Sequence, residues 1–134
     1  IGYAIGSEKL ISALKSVKFS YNSYTMNMPS IVAGVAAIKD DEYFKEIVSK
    51  IITTRENAKI KLKELGFDFA DSKTNFIFAK HNIVKAEFIF EELKKRKIYV
   101  RYFNKPRINN YLRITIGTDD EMNQLYDALK EILG

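Results

Sequence analysis

The sequence feature that most constrains the fold is one long amphipathic helical pattern between Asp40 and Leu65. Its apolar residues recur at steps of three and four, and Arg55 continues the same face. The apolar members are Phe44, Ile47, Val48, Ile51, Ala58, Leu62 and Leu65. Gly66 follows as a residue suited to end the helix. About 26 helical residues would span roughly 39 Å, which exceeds the usual length of a helix in a globular domain.

A helix of this length predicts a division of the chain into two parts, because long helices often connect domains. The 134 residues leave room for one ordinary domain and not for two of full size. The chain also begins at Ile1 rather than at Met, which we interpret as the sign of a fragment. We therefore expect residues 1–39 to be the trailing segment of a large domain and residues 40–134 to be a complete small domain.

Local signals outside the long helix predict short elements on both sides of it. Before it we expect the end of a strand at Ile1–Gly6, a helix at Glu8–Lys15 capped by Ser7, a loop at Val17–Asn27, and a helix at Ser30–Ile38 begun by Asn27 and Pro29. After it we expect strands at Asn75–Ala79, Ile98–Phe103 and Leu112–Ile116, a helix at Val84–Lys97, and a last helix opened by a Thr118–Glu121 capping box. The resulting order β-α-β-β-α predicts an α+β fold, with a short antiparallel or mixed sheet and helices on one face.

Composition excludes several classes of site. The chain has no cysteine and one histidine, His81, so it offers neither a disulfide framework nor a two-histidine metal cage. We expect His81 to be an exposed loop residue. The longest apolar run, Ile31–Ile38, is too short to cross a bilayer, so no membrane span is expected. No glycine-rich phosphate loop and no GxSxG motif occurs.

Positive charge is concentrated in one stretch of the chain. Between Glu92 and Asp119 there is no acidic residue. Eight cations fall in that interval: Lys94, Lys95, Arg96, Lys97, Arg101, Lys105, Arg107 and Arg113. Such an excess attracts anions. We interpret the first four as cations at a helix C-terminus that remain solvated.

Arg113 and Arg101 have a different pattern, because each alternates away from the apolar residues of its own strand. A guanidinium group on a rigid strand suits a phosphate or a carboxylate, and the two would converge if their strands are neighbours. The alternative, which periodicity alone favours, is that both are exposed arginines stacked on Tyr99 or Tyr111. The residues by themselves thus support an anion-binding α+β unit without a catalytic centre.

Three stretches of the sequence resemble a known family. IGYAIGSEKLISALKSVKFSYN, IYVRYF and YLRITIGTDDEMNQLYDALKEIL are similar, in order and spacing, to the C-terminal portion of histidinol-phosphate aminotransferases. These are fold-type I enzymes of histidine biosynthesis that depend on pyridoxal 5′-phosphate. The LRITIGT string is the most specific part of the resemblance, and the whole resemblance covers nearly all of the chain.

The resemblance implies roles for the two arginines and for residues that this chain lacks. By its match to the LRITIGT strand, Arg113 would bind the phosphate of L-histidinol phosphate, and Arg101 would assist. The lysine that forms the Schiff base and the arginine that holds the cofactor phosphate would both precede Ile1. Hence we expect no catalytic, cofactor-binding or metal-binding residue in this chain, and no pyridoxal phosphate bound to it alone. Tyr21 and Asn22 stand in a loop whose usual Pro-Tyr-Asn reads Ser-Tyr-Asn, so they are assigned no role.

The same resemblance implies a parent enzyme that transfers an amino group from L-histidinol phosphate to 2-oxoglutarate. It also implies a homodimer, a cytoplasmic location, a large domain ahead of this chain, and no nucleic-acid partner. Another superfamily member, such as an aromatic aminotransferase or a threonine-phosphate decarboxylase, would use a similar arginine. Outside enzymes, the alternatives are a basic RNA-binding α+β module that stacks bases on Tyr99 and Tyr111, and a small-molecule regulatory domain.

Overall fold

The computed structural model describes residues 1–134 and contains five helices and one four-stranded sheet. In chain order the elements are α1 (Glu8–Tyr21), α2 (Met28–Lys39), α3 (Asp41–Glu64), β1 (Phe67–Phe69), β2 (Phe76–His81), α4 (Ala86–Lys95), β3 (Arg101–Tyr102), β4 (Leu112–Thr115) and α5 (Asp119–Leu133). None of the helices is both long enough and apolar enough to cross a membrane. Two compact units, Ile1–Lys45 and Glu46–Gly134, divide inside α3. The assignment of residues 1–39 to a large domain and of 40–134 to a small one stays a prediction.

The first unit consists mainly of two helices whose N-terminal caps follow from the sequence. The Ser7 hydroxyl accepts from the Leu10 amide at 3.4 Å, and the Asn27 side chain accepts from the Ser30 amide at 2.8 Å. Both predicted starts are therefore confirmed. Two other predictions are wrong. Ile1–Gly6 forms no strand, and α1 extends into the predicted loop as far as Tyr21, so that only residues 22–27 remain outside the helices.

No residue of the first unit is buried. Its large apolar side chains are exposed, among them Ile5, Val17 and Ile38, which are 89%, 69% and 84% accessible. These helices therefore gain little from packing within their own unit, although packing of an apolar face is what usually stabilises helices of this length.

The second unit starts in α3 and continues into an antiparallel sheet of order β1-β2-β4-β3. Gly66 lies between α3 and β1 with φ of +81°, and a Cβ there would approach Nε2 of His81 to 3.0 Å. Glycine is thus required both by the backbone and by the space. The three-residue strand β1, absent from the predicted order, pairs with β2 from Phe67↔His81 to Phe69↔Ala79.

The hydrophobic core lies on one face of the sheet, which confirms the predicted α+β architecture. Along β2 and β4 every second residue is buried, including Ile77, Ala79, Leu112 and Ile114. Residues of α3, α4 and α5 pack in the same core; the most deeply buried are Ala58, Leu62, Ile89, Leu93 and Leu129. Because strand residues alternate between faces, the opposite face of the sheet is free to carry polar groups.

His81 is buried, so the prediction of an exposed loop residue is wrong. It is the last residue of β2, 9% accessible, and its ring meets that of Phe67 edge-on with centroids 5.2 Å apart. Its Nδ1 accepts from the amides of Ile83 and Val84 at 3.2 and 2.8 Å. The pairing with β1 extends β2 as far as His81, and the alternation of β2 then places this side chain on the core face. The local sequence carries no sign of that pairing.

The strand predicted at Ile98–Phe103 is shorter than expected, covering only Arg101 and Tyr102. The residues before it close the end of α4 instead. Lys97 has φ of +60°, and the Ile98 amide donates to the Leu93 carbonyl at 3.0 Å. The amides of Lys97 and Ile98 therefore donate to carbonyls of α4 instead of a strand. Strand β3 begins at Arg101, where the pairing with β4 starts.

Candidate anion-binding site

The two arginines singled out in the sequence lie directly opposite each other in the sheet. In the β3–β4 pairing, Arg101 faces Arg113 and Tyr102 faces Leu112. Leu112 and Ile114 are buried on the core face, so Arg113 extends from the other face, where it is exposed. Directly opposite residues of an antiparallel pair have Cβ atoms about 5 Å apart. The strand register thus makes the two residues neighbours, which the predicted convergence on one anion requires.

Neither arginine of this pair contacts an acidic residue. The chain's ion pairs include neither Arg101 nor Arg113, whereas Arg55 and Arg96 both pair with glutamates. Like charges directly opposite each other destabilise a sheet. The pair thus forms an uncompensated positive site on a rigid surface, a suitable arrangement for an anion with several oxygen atoms.

The other cations of the acid-free stretch have different surroundings. Lys94 and Lys95 lie in the last turn of α4 and pair with Glu91 and Glu92. Arg96 pairs with Glu92 and Glu131. Hydrogen bonds from Lys95 and from Arg96 hold the pKa of the Glu92 carboxyl below its ordinary value. The prediction that these cations complement a helix terminus is confirmed for Lys94 and Lys95.

Each guanidinium of the pair lies over an aromatic ring, although not over the predicted rings. Arg113 is 5.4 Å from the ring centroid of Phe76, and Arg101 is 5.3 Å from that of Phe103. The alternative that the two arginines stack on Tyr99 or Tyr111 is therefore wrong, because the rings beneath them are those of Phe103 and Phe76. Tyr99 precedes β3 and is 77% exposed, and Tyr111 stacks on Phe78 at 4.8 Å.

Residues on β2 complete this face and were missed in the sequence. Phe78 lies opposite Arg113, Phe76 lies opposite Thr115, and Lys80 follows on the same side, 5.8 Å from the ring of Tyr111. The alternation of β2 contains the signal for their direction. Their proximity to Arg113 depends on the β2–β4 register, which periodicity does not supply.

No lysine of this chain has the surroundings of a Schiff-base lysine for pyridoxal phosphate. A Schiff-base lysine needs a desolvated environment that favours the neutral amine, and no lysine of the chain is buried. Lys59, among the least exposed, is held by Glu56 and Asp71, which raise its pKa and so favour its charged form. No cluster of residues suited to a metal ion is present either.

Tyr21 and Asn22 lie at the end of α1, where Tyr21 is exposed and Asn22 forms hydrogen bonds with residues close to it in the sequence. The Tyr21 side chain is 94% exposed. The Asn22 side chain accepts from the Tyr24 amide at 3.0 Å, and the Asn22 amide donates to the Lys18 carbonyl. Asn22 thus contributes to the end of the helix.

Comparison with known proteins shows the family of this chain. The model of the family "Aminotransferase class I and II" matches residues 1–129. The histidinol-phosphate aminotransferases of Brachyspira hyodysenteriae and Clostridium acetobutylicum are 55% and 51% identical over 133 residues, which is 99% of this chain. The chain spans only 38% of the length of each of these two relatives.

A solved structure shows the same fold. The histidinol-phosphate aminotransferase of Sinorhizobium meliloti, determined in complex with pyridoxal-5′-phosphate, matches 91% of this chain with a TM-score of 0.79 and 25% identity. The match takes up 34% of that structure. On the strength of the family match and these relatives, the chain belongs to the aminotransferase class I and II family.

Proposed function

We propose that this chain is the C-terminal part of a pyridoxal-phosphate-dependent histidinol-phosphate aminotransferase, and that Arg113 and Arg101 bind the anionic group of its substrate. The parent enzyme would transfer an amino group between L-histidinol phosphate and the 2-oxoglutarate/glutamate pair. The names and identities of the two bacterial relatives support the reaction. The facing arginines support the binding role.

The observation that carries the binding role is the pairing of Arg101 with Arg113 without an acidic partner. A phosphate dianion placed between the two guanidinium groups would accept hydrogen bonds from both and remove their mutual repulsion. Arginine presents its N–H donors in a fixed planar fork, which suits the phosphate oxygens better than the single point charge of lysine. The β3–β4 pairing holds the two arginines side by side, so the chain's own residues would orient the substrate.

The remaining parts of the reaction would lie outside residues 1–134. When bound in the complete enzyme, pyridoxal phosphate supplies the electron sink for transamination. A larger domain would also explain the first unit, because its exposed apolar side chains need a surface to cover them. The homodimer and the cytoplasmic location are carried over from the family resemblance and stay predictions.

Substitution of Arg113 in the complete enzyme tests this proposal. Loss of two charged hydrogen bonds, each worth about 1.5 kcal/mol or more, lowers binding of the phosphate group by roughly 100-fold. We therefore expect Arg113→Ala to lower kcat/KM for L-histidinol phosphate by about that factor. Absorbance of the bound cofactor should be unchanged.

Lys105→Ala is the matched control, because Lys105 is an exposed cation of the same acid-free stretch and lies outside the strands. It should leave kcat/KM within about two-fold, as expected for one exposed surface charge. Equal activity of Arg113→Ala and the unsubstituted enzyme would exclude Arg113 from the site. A complete enzyme that turns over phenylalanine or threonine phosphate in preference to histidinol phosphate would instead indicate one of the other superfamily members.

A further inference from the structure

The aromatic rings beneath the two arginines have a consequence for anion binding. A carboxylate would also fix a guanidinium group, but it would occupy N–H donors and neutralise the charge. A ring face attracts the cation through its quadrupole and leaves the N–H edge of the fork free. Arg113 over Phe76 and Arg101 over Phe103 are held in this second way.

Phe76 is fixed by its own backbone contacts. Its carbonyl accepts from the hydroxyls of Ser72 and Thr74 at 2.6 and 3.1 Å, and its amide donates to the Thr74 hydroxyl at 3.3 Å. Because Phe76 is opposite Thr115, it is the diagonal neighbour of Arg113, a spacing that aromatic side chains can bridge. Phe76 therefore offers Arg113 a rigid support.

Phe103 has a different anchor, which matters because β3 is a two-residue strand at the edge of the sheet. The ring of Phe103 meets Phe78 edge-on at 6.3 Å, and Phe78 stacks on Tyr111 at 4.8 Å. This series of rings connects the end of the edge strand to the inner strand β2. It restrains Phe103, and through Phe103 it restrains Arg101.

We propose that Phe76 and Phe103 are positioning residues, which hold Arg113 and Arg101 in the orientation for anion binding without neutralising them. This inference rests on the proposed role of the two arginines. Neither phenylalanine needs to contact the substrate. Their replacement should therefore weaken binding of the anion while leaving the chemical step nearly unchanged.

The test uses the complete enzyme and the variants Phe76→Leu and Phe103→Leu, which keep an apolar side chain but remove the ring. We expect each to raise KM for L-histidinol phosphate about three- to ten-fold and to keep kcat within two-fold. Inhibition by inorganic phosphate should weaken by the same factor, because it reports anion binding without turnover. Phe76→Tyr and Phe103→Tyr, which restore a ring face, should return both values to those of the unsubstituted enzyme.

Phe69→Leu is the matched control. Phe69 also lies beneath a cation, Lys63 at 4.8 Å, but it is on β1 at the other edge of the sheet. This variant should leave KM and phosphate inhibition unchanged. If a leucine variant fails to fold, Phe76→Met and Phe103→Met supply side chains of similar length without a ring, and the same changes are expected.

The outcomes separate this inference from the proposed function. Leucine and methionine variants with unchanged KM, in an enzyme where Arg113→Ala raises KM, would overturn the positioning role and leave the arginine role intact. Tyrosine variants as impaired as leucine variants would also overturn it, because the ring face would then be irrelevant. No effect of Arg113→Ala would remove the proposed binding role of the arginines, on which this inference rests.

Discussion

At the scale of single residues, His81 shows how one buried polar side chain supports the strand and loop around it. Its Nδ1 accepts two amides, from Ile83 and Val84, and its ring packs on Phe67. His81→Ala leaves both amides without that acceptor and removes the ring contact. We expect it to lower the free energy of unfolding by about 2 kcal/mol and to speed hydrogen exchange at both amides.

The neighbouring Asn82 provides the comparison for this prediction. It is exposed, and its amide, not its side chain, bonds to the Gly66 carbonyl. The free energy of unfolding of Asn82→Ala should therefore stay within about 0.5 kcal/mol of that of the unsubstituted protein. Equal exchange rates at Ile83 and Val84 in His81→Ala and in the unsubstituted protein would show that the imidazole does not hold this loop.

The residues that sequence reasoning placed correctly are those whose direction depends on local alternation. Arg113 lies between the buried Leu112 and Ile114, so its exposure was predictable from its own strand. The extension of β2 as far as His81 was not predictable, because it depends on pairing with β1, a strand of three residues. The ring of Phe76 beneath Arg113 could not be found from the sequence either, because its proximity depends on the β2–β4 register.

At the scale of elements, the start of α5 is a self-contained capping box. The Thr118 hydroxyl accepts from the Glu121 amide at 3.3 Å, and the Glu121 carboxylate accepts from the Thr118 amide at 2.7 Å. All partners lie within four residues, which is why the sequence predicted this feature and the structure confirms it. We expect Thr118→Ala to weaken the first turn of α5 by about 1 kcal/mol, measured as faster hydrogen exchange of its amides.

The same box predicts a dependence on pH. Hydrogen bonds from the Thr118 amide and hydroxyl lower the pKa of Glu121 in the folded protein from its ordinary 4.5. A lowered folded-state pKa means that the ionised carboxylate stabilises the fold above the unfolded-state pKa, and that this stabilisation is lost as the pH falls through the folded-state pKa. Glu121→Gln should therefore increase exchange in the first turn of α5 at pH 7 and make little difference once the pH is well below 4.5. A difference that persists unchanged at low pH would assign the effect to something other than the ionised group.

At the scale of the whole molecule, the two units differ in how far packing within the unit itself stabilises them. The second unit, residues 46–134, contains every buried residue of the chain, including all of the sheet's core face. The first unit, residues 1–45, contains none, and its helices have 14 and 12 residues. Helices shorter than about 15 residues are marginal in water without packing.

This contrast predicts different behaviour of the two units as separate polypeptides. Residues 46–134 should unfold cooperatively on heating, followed by circular dichroism, because their core is internal. Leu62→Ala should lower the free energy of unfolding of that polypeptide by about 3 kcal/mol, since Leu62 is fully buried. Residues 1–45 should show weak helicity and no cooperative transition. A cooperative transition in residues 1–45 alone would mean that their helices are stable without a covering surface, and would remove one of the supports for a larger domain ahead of this chain.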